Sequence, residues 1–249
     1  MMAAAGNSGP PDYVGEPHSS FLGGWFRADE VVESAGDISQ WTDKSGNGRH
    51  RVPQDTNYKP TLNASDSNFN DHPSITFPNT GSFNFKFASG PFTTSAPWSK
   101  EFFGGNYDTA MIFVVFRTAT TGNNYSYAEI WGGQQGYYWV GPGSATHMSF
   151  GNNTLQQSGH VVGTTYSTLV YRNNSTGITT METTGLTTVS QSLSWNTGDQ
   201  NQSPLIGGSQ YPGQYFRGEI AEVLLYSANT DPIRTQTKNY IANSYGLTW

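Results

Sequence analysis

Apolar residues in this chain come in short runs, and within most runs every second position is apolar. The stretch "FNFKFAS" sets Phe83, Phe85 and Phe87 against Asn84 and Lys86. "DISQWTD" alternates Ile38 with Gln40 and Trp41 with Asp43. A period of two is the mark of a strand with one buried face. "FLGGWFRA", "PSITFP", "HMSFGN", "STLVYRN", "ITTMETT" and "SPLIGGS" are further short strand-like runs. "YSYAEIWGG" and "GYYWVG" read as a hairpin pair. "TAMIFVVFRTA" is the strongest strand, apolar at every position from Met111 to Phe116, which predicts a central strand covered on both faces. Gly, Asn and Pro clusters separate the runs, a pattern of all-β sandwiches or barrels.

One helix is predicted, over "TDPIRTQTKNYIANSYG". Thr230 or Asp231 is the N-cap, Pro232 the first helical residue, and Gly246 the stop. Ile233, Thr237, Tyr240 and Ile241 share one face at helical spacing. The Pro-rich opening predicts an extended arm over residues 1–19, ahead of a single domain over 20–249.

Composition narrows the function classes. Aromatic residues make up 14% of the 249, too many for a disordered chain. Charged residues are only 12%, and the net charge is −6 with scattered Lys and Arg, which argues against nucleic acid as a partner. No apolar run reaches a membrane span, so no membrane insertion is expected. The chain has no cysteine and hence no disulfide. "MMAAAGNSGPPDYVGEP" lacks the basic and apolar regions of a secretory signal. Low charge with much Asn, Thr, Gly and Tyr is an outside-type composition. Together with the leaderless start it points to a virion surface, with an extracellular location as the alternative.

Two phrases near the ends are definite. In "WTDKSGNGRH" Gly46 and Gly48 supply a tight turn with positive φ. Asp43 is placed to accept backbone N–H groups of that turn, and Trp41 to plug the core before it. In "GEIAEVLLY" strict alternation puts Ile220, Glu222, Leu224 and Tyr226 on one face and Glu219, Ala221, Val223 and Leu225 on the other. Glu222 thus lies among apolar side chains and needs a hydrogen-bonding partner.

These phrases, with Trp25, "PSITFP", "MIFVVFRT" and the closing "KNYIANSYGLTW", resemble the LamG-like jelly-roll domains of the concanavalin A-like lectin/glucanase superfamily. The resemblance runs over roughly residues 20–249. It implies an antiparallel β-sandwich of two sheets packed face to face, with a short C-terminal helix, in which the two phrases lie on the first and last strands. Trp41, Asp43, Gly46, Gly48, Glu222 and Tyr226 are expected to have structural roles.

Candidate chemistry is sparse. A glycosidase needs two facing carboxylates. Glu219 and Glu222 are three apart, which alternation sends to opposite faces, and Glu30 and Glu33 read as loop residues. No G-x-S-x-G elbow is present. His18, His50, His72, His147 and His160 are scattered and read as surface or turn residues. No cofactor is required. Because some relatives carry Ca²⁺ at loop ends, Ca²⁺ is the one metal admitted, and Asp29, Asp43, Asp66 and Asp71 are loop acids with suitable oxygens, though no ligand set emerges. Sugars are bound by exposed aromatic rings flanked by amides and hydroxyls. Tyr125, Tyr127, Trp131, Tyr137, Tyr138 and Tyr211 have that setting, although about half the rings on strands face a core.

The expectation is therefore a non-catalytic surface module that recognises or coats something, with possible glycan binding. As a bacteriophage virion protein it would be a capsid decoration, head fibre or tail-associated adhesion domain, partnered by other virion proteins, by itself as a homo-oligomer, or by cell-surface glycans. The alternatives are an exported bacterial carbohydrate-binding or adhesion module, a glucanase-type hydrolase, and a structural subunit with no ligand.

Overall fold

The computed structural model describes residues 12–53, 60–77, 87–88, 109–119, 131–132, 139–144, 146–150, 155–173, 175–193, 205–207 and 216–249. In chain order the strands are β1 (Leu22–Ser34), β2 (Asp37–Asp43), β3 (Val52–Pro53), β4 (Thr61–Asn63), β5 (Ser74–Phe77) and β6 (Phe87–Ala88). There follow β7 (Met111–Thr118), β8 (Trp131–Gly132), β9 (Trp139–Ser144), β10 (His147–Phe150) and β11 (Leu155–Ser158). The last are β12 (Thr165–Asn173), β13 (Ile178–Thr183), β14 (Val189–Ser192), β15 (Leu205–Ile206) and β16 (Gly218–Tyr226), before helix α1 (Asp231–Tyr245). Among the described residues the fold is all-β with this one α-helix, near the C-terminus.

Among the described residues the strands form two sheets. The larger runs β1-β2-β4-β5-β16-β7-β12-β13-β14, and β1 also pairs with β16. That extra pairing closes β1, β2, β4, β5 and β16 into a five-strand ring, with the remaining strands extending from β16. A plain two-sheet sandwich has no such ring. The smaller sheet runs β11-β10-β9-β8-β15-β6-β3, and its β8–β9 pair is the hairpin expected around Trp131 and Trp139.

The larger sheet is covered on both faces. Phe26, Ile112, Val114, Phe116, Val170, Val223 and Leu225 share a core with Met148, Phe150, Leu155 and Ile206 of the smaller sheet. On the other face Trp25, Met111, Phe113, Val115, Leu224 and Tyr226 pack against Ile233, Tyr240, Ile241 and Tyr245 of α1. Consecutive residues of β7 thus enter different cores, which is why its sequence is apolar throughout. The helix starts after Thr230 in extended conformation, carries a proline in its first turn, and ends at Gly246 with φ 66°, whose N–H bonds the Ala242 carbonyl.

β1 is longer than its apolar stretch. Glu30 and Glu33, read as loop residues, lie within it. β1 continues as one arm of a hairpin with β2. The connecting pair, Ala35 at φ 55° and Gly36 at φ 87°, has positive φ at both positions, the two-residue turn that matches strand twist.

Candidate functional site

β1 and β16 meet in the interior of the larger sheet, and the site is built on them. Along one edge β16 changes partner. Gly218, Glu219 and Ile220 pair with β5, whereas Glu222 onward pairs with β1. On its other edge β16 pairs with β7, and the register shifts between Ile220 and Glu222. This β-bulge resets the alternation. Ile220 joins the core between the sheets, with Val223 and Leu225, while Ala221, Leu224 and Tyr226 face the helix. The expected grouping of Ile220 with Glu222 and of Ala221 with Val223 is corrected accordingly. The bulge also undoes the argument that parted Glu219 from Glu222. Glu219 pairs with Arg117 and Glu222 with Val115, two residues apart on β7, so both carboxylates stand on the helix side.

Glu222 is fully buried. Its Oε1 accepts from Trp25 Nε1 at 2.5 Å and from the Tyr240 hydroxyl at 3.0 Å, and its Oε2 accepts from the Tyr245 hydroxyl at 2.8 Å. Burial raises its pKa to about 7, against the pull of these three donors and of Arg27. Burial also pushes the Tyr240 and Tyr245 hydroxyls up, so both stay protonated and able to donate. Glu219 is half-buried, and its Oε2 meets Arg117 Nη1 at 3.3 Å. Burial raises it too, with Arg117 opposing.

Above this nest sits Arg27, also on β1 and 8% exposed. It donates from Nε and Nη2 to the two oxygens of Asp29 at 2.6 and 2.7 Å. The Tyr13 ring lies over the guanidinium at 3.8 Å and stacks on His72 on a centroid distance of 4.0 Å. The segment carrying Tyr13 is tied to α1 by Val14 N–H to Ser244 Oγ and by Gln236 Nε2 to the Glu16 carbonyl. A cavity of about 460 Å³ opens here, lined by Asp12, Tyr13, Gly15, Glu16, Arg27, Asp29 and Pro73. It offers carboxylate acceptors around one guanidinium whose position is fixed from both sides, an arrangement suited to hydroxyl-rich ligands.

The sequence-predicted residues are placed as follows. Trp41 is buried, and its Nε1 donates to the Arg27 carbonyl at 2.9 Å. Asp43 accepts from the backbone N–H groups of Trp25, Ser45 and Arg49. Gly46 and Gly48 have φ 84° and 69°. The Tyr226 hydroxyl lies 2.9 Å from Thr237 Oγ1. Tyr125, Tyr127, Tyr137, Tyr138 and Tyr211 lie outside the described residues, and for Trp131 only the backbone pairing is described. Two histidines read as surface or turn residues are buried instead. His72 is under Tyr13, where burial lowers its pKa, and His160 lies 3.3 Å from Thr118 Oγ1.

The acids considered for calcium do not make a cage. Asp29 is held by Arg27, Asp43 by backbone amides, and Asp66 by Asn68 and Ser74. Among the described residues no group of three or more acids or histidines gathers around one point. Arg27, Tyr13 and His72 were missed as site residues. One signal was available, because Trp25, Arg27 and Asp29 alternate along a strand and so share a face.

No family model matches the chain, and no curated protein matches it. Solved structures match in shape. A GH54 α-L-arabinofuranosidase soaked with 4-nitrophenyl α-L-arabinofuranoside aligns with a TM-score of 0.53 and 13% identity, covering 92% of this chain and 60% of that one. Trypanosoma rangeli sialidase in complex with 2,3-difluoro-KDN aligns with a TM-score of 0.51 and 10% identity, covering 90% of this chain and 33% of that one. The fold is a β-rich one found in carbohydrate-active proteins. The chain spans three-fifths of the first structure and a third of the second. Neither is described as a LamG-like or concanavalin A-like domain, so the resemblance is supported at the level of this broader fold. Against the expectation of a non-catalytic chain, two structures that share its fold are enzymes, so the fold does not set catalysis aside. The parity argument against a hydrolase falls as well, since the bulge brings Glu219 and Glu222 to one face.

Proposed function

We propose that this chain is a carbohydrate-recognising β domain of a carbohydrate-active protein, and that the cavity beside Arg27 and Asp29 takes the saccharide. The observation that carries the reading is the fixed polar wall. Asp29 grips the guanidinium in its plane, and Tyr13 covers its face. A side chain locked in this way presents its remaining donors at little entropic cost. The wall holds three carboxylates to one guanidinium. It therefore favours neutral saccharides, whose hydroxyls donate to carboxylates, over acidic ones. The fold shared with an arabinofuranosidase and a sialidase supports the class of ligand.

Isothermal titration with neutral pentose, neutral hexose and acidic oligosaccharides tests this. Binding of a neutral oligosaccharide, weakened at least tenfold by Asp29→Ala, is the expected result. A protein that binds no sugar, or one whose binding ignores Asp29→Ala, would overturn it. The same preparation is assayed for release of 4-nitrophenol from 4-nitrophenyl α-L-arabinofuranoside, which reads catalysis separately from binding. The virion-surface location is a proposal of its own, supported by composition and tested by mass spectrometry of purified particles.

A further inference from the structure

Phe21 combines two features that each work against the folded chain. Its backbone has φ 63°, a left-handed conformation in which a bulky side chain is disfavoured. The residue is 60% exposed, so the strain is not offset by burial. The conformation is held from outside, since the Phe21 carbonyl accepts from Ser227 N–H at 2.9 Å and from Ser227 Oγ at 3.3 Å. Gly or Asn would occupy this position without that conflict. A strained conformation imposed by its surroundings is a pointer to function.

The backbone that follows Phe21 is held by a polar side chain. Asn47, from the turn braced by Asp43, reaches the backbone beside Phe21, its Nδ2 donating to the Leu22 carbonyl at 2.9 Å and to Ser45 Oγ at 2.9 Å. Those bonds fix the amide and use only its nitrogen, so Oδ1 stays available as an acceptor on an exposed residue. An exposed aromatic residue, next in the chain to the carbonyl that anchors an exposed amide, suits a sugar ring, which has an apolar C–H face and hydroxyls on its rim.

We infer that Phe21 and Asn47 form a second saccharide contact on the same chain, with the sugar ring stacked on Phe21 and a hydroxyl donating to Asn47 Oδ1. The inference rests on the proposed carbohydrate recognition and adds a contact away from the Arg27 cavity. It also explains the choice of Phe, because the side chain serves the ligand at the expense of the backbone.

Titration of the same neutral oligosaccharides into wild type, Phe21→Gly, Phe21→Leu, Phe21→Trp and Asn47→Ala is the test, with each variant's thermal midpoint measured alongside. Phe21→Gly is expected to raise the midpoint and weaken binding at least fivefold. Phe21→Leu keeps bulk without a π face and should weaken binding similarly. Phe21→Trp should retain affinity, and Asn47→Ala should lose part of it. If Phe21→Gly and Phe21→Leu bind as wild type while Asp29→Ala does not, the second contact is wrong and the cavity reading stands. If Phe21→Gly lowers the midpoint, the strain argument fails and the inference with it. If wild type binds no sugar, both readings fall together.

Discussion

Trp25 and Glu222, 197 residues apart in sequence, are joined by a buried hydrogen bond of 2.5 Å from the indole to the carboxylate. They sit on the two strands that close the ring, and Tyr240 and Tyr245 bring the helix to the same carboxylate. One acidic group therefore ties the first strand, the last strand and the helix that follows it. Whether that tie helps or hinders folding depends on pH. The folded-state pKa of Glu222, about 7, lies above its ordinary value of 4.5. The folded state thus holds the proton more tightly than the unfolded chain. Its contribution is fully present below the unfolded value and is lost as pH rises to about 7, a change of about 3 kcal/mol for a shift of this size. Glu222→Gln removes the titration and keeps an acceptor for the indole. The difference in unfolding free energy between Glu222→Gln and wild type should move in favour of the variant by about 3 kcal/mol from pH 4.5 to pH 8. Urea unfolding at both pH values measures it, and taking the difference cancels other groups such as His72.

Tyr245 supplies a donor that matters most when Glu222 is ionised. Its hydroxyl bonds Oε2 at 2.8 Å and holds the Glu222 pKa down. Tyr245→Phe leaves the buried oxygen a donor short, at a cost of about 1–3 kcal/mol. The penalty should be larger at pH 8 than at pH 5, because a protonated carboxyl needs fewer donors. Equal penalties at the two values would show that Tyr245 acts through packing alone.

The strands were legible because burial writes itself into short-range pattern. Met111 to Phe116 enter two cores, and an unbroken apolar run records that. The helix was legible from Thr230, Pro232 and Gly246, whose roles are local. The bulge at Ala221 was not, because it arises where β16 passes from β5 to β1, strands about 150 and 200 residues earlier in the chain. The Arg27 cavity was hidden for a similar reason. Tyr13 reads as part of a polar arm, and only the folded chain sets it on His72 and Arg27.

The Asp43 brace carries three backbone donors from two segments. Oδ1 takes Trp25 N–H at 3.0 Å and Ser45 N–H at 2.9 Å, and Oδ2 takes Arg49 N–H at 3.0 Å. The Trp25 bond links the turn to the strand that bears Arg27. Asp43→Ala strands all three donors and is expected to cost at least about 3 kcal/mol, given about 1.5–3 for each bond to a charged group. Asp43→Asn keeps one acceptor oxygen and should cost less. Guanidinium unfolding of both variants checks the order, and an Asp43→Asn protein no more stable than Asp43→Ala would contradict it.

Glycines at positive φ differ in what an added methyl would meet. At Gly46, φ 84°, a β-carbon would lie in open space. Gly46→Ala therefore pays only for the left-handed backbone, about 1–2 kcal/mol. At Gly218, φ 149°, the same atom would fall 2.1 Å from the Arg117 carbonyl oxygen and 3.0 Å from the Thr118 Cα. Those are backbone atoms of the adjacent strand, and no rotamer change clears them. Gly218 also pairs with Phe77 of β5 on its other side, so the strand cannot move away without breaking the ring. Gly218→Ala should therefore destabilise far more than Gly46→Ala, by upwards of about 3 kcal/mol, in the range of overpacked cores and broken networks. Thermal unfolding of the two variants side by side decides it, and similar midpoints would mean that β16 is not clamped between β5 and β7 at its start.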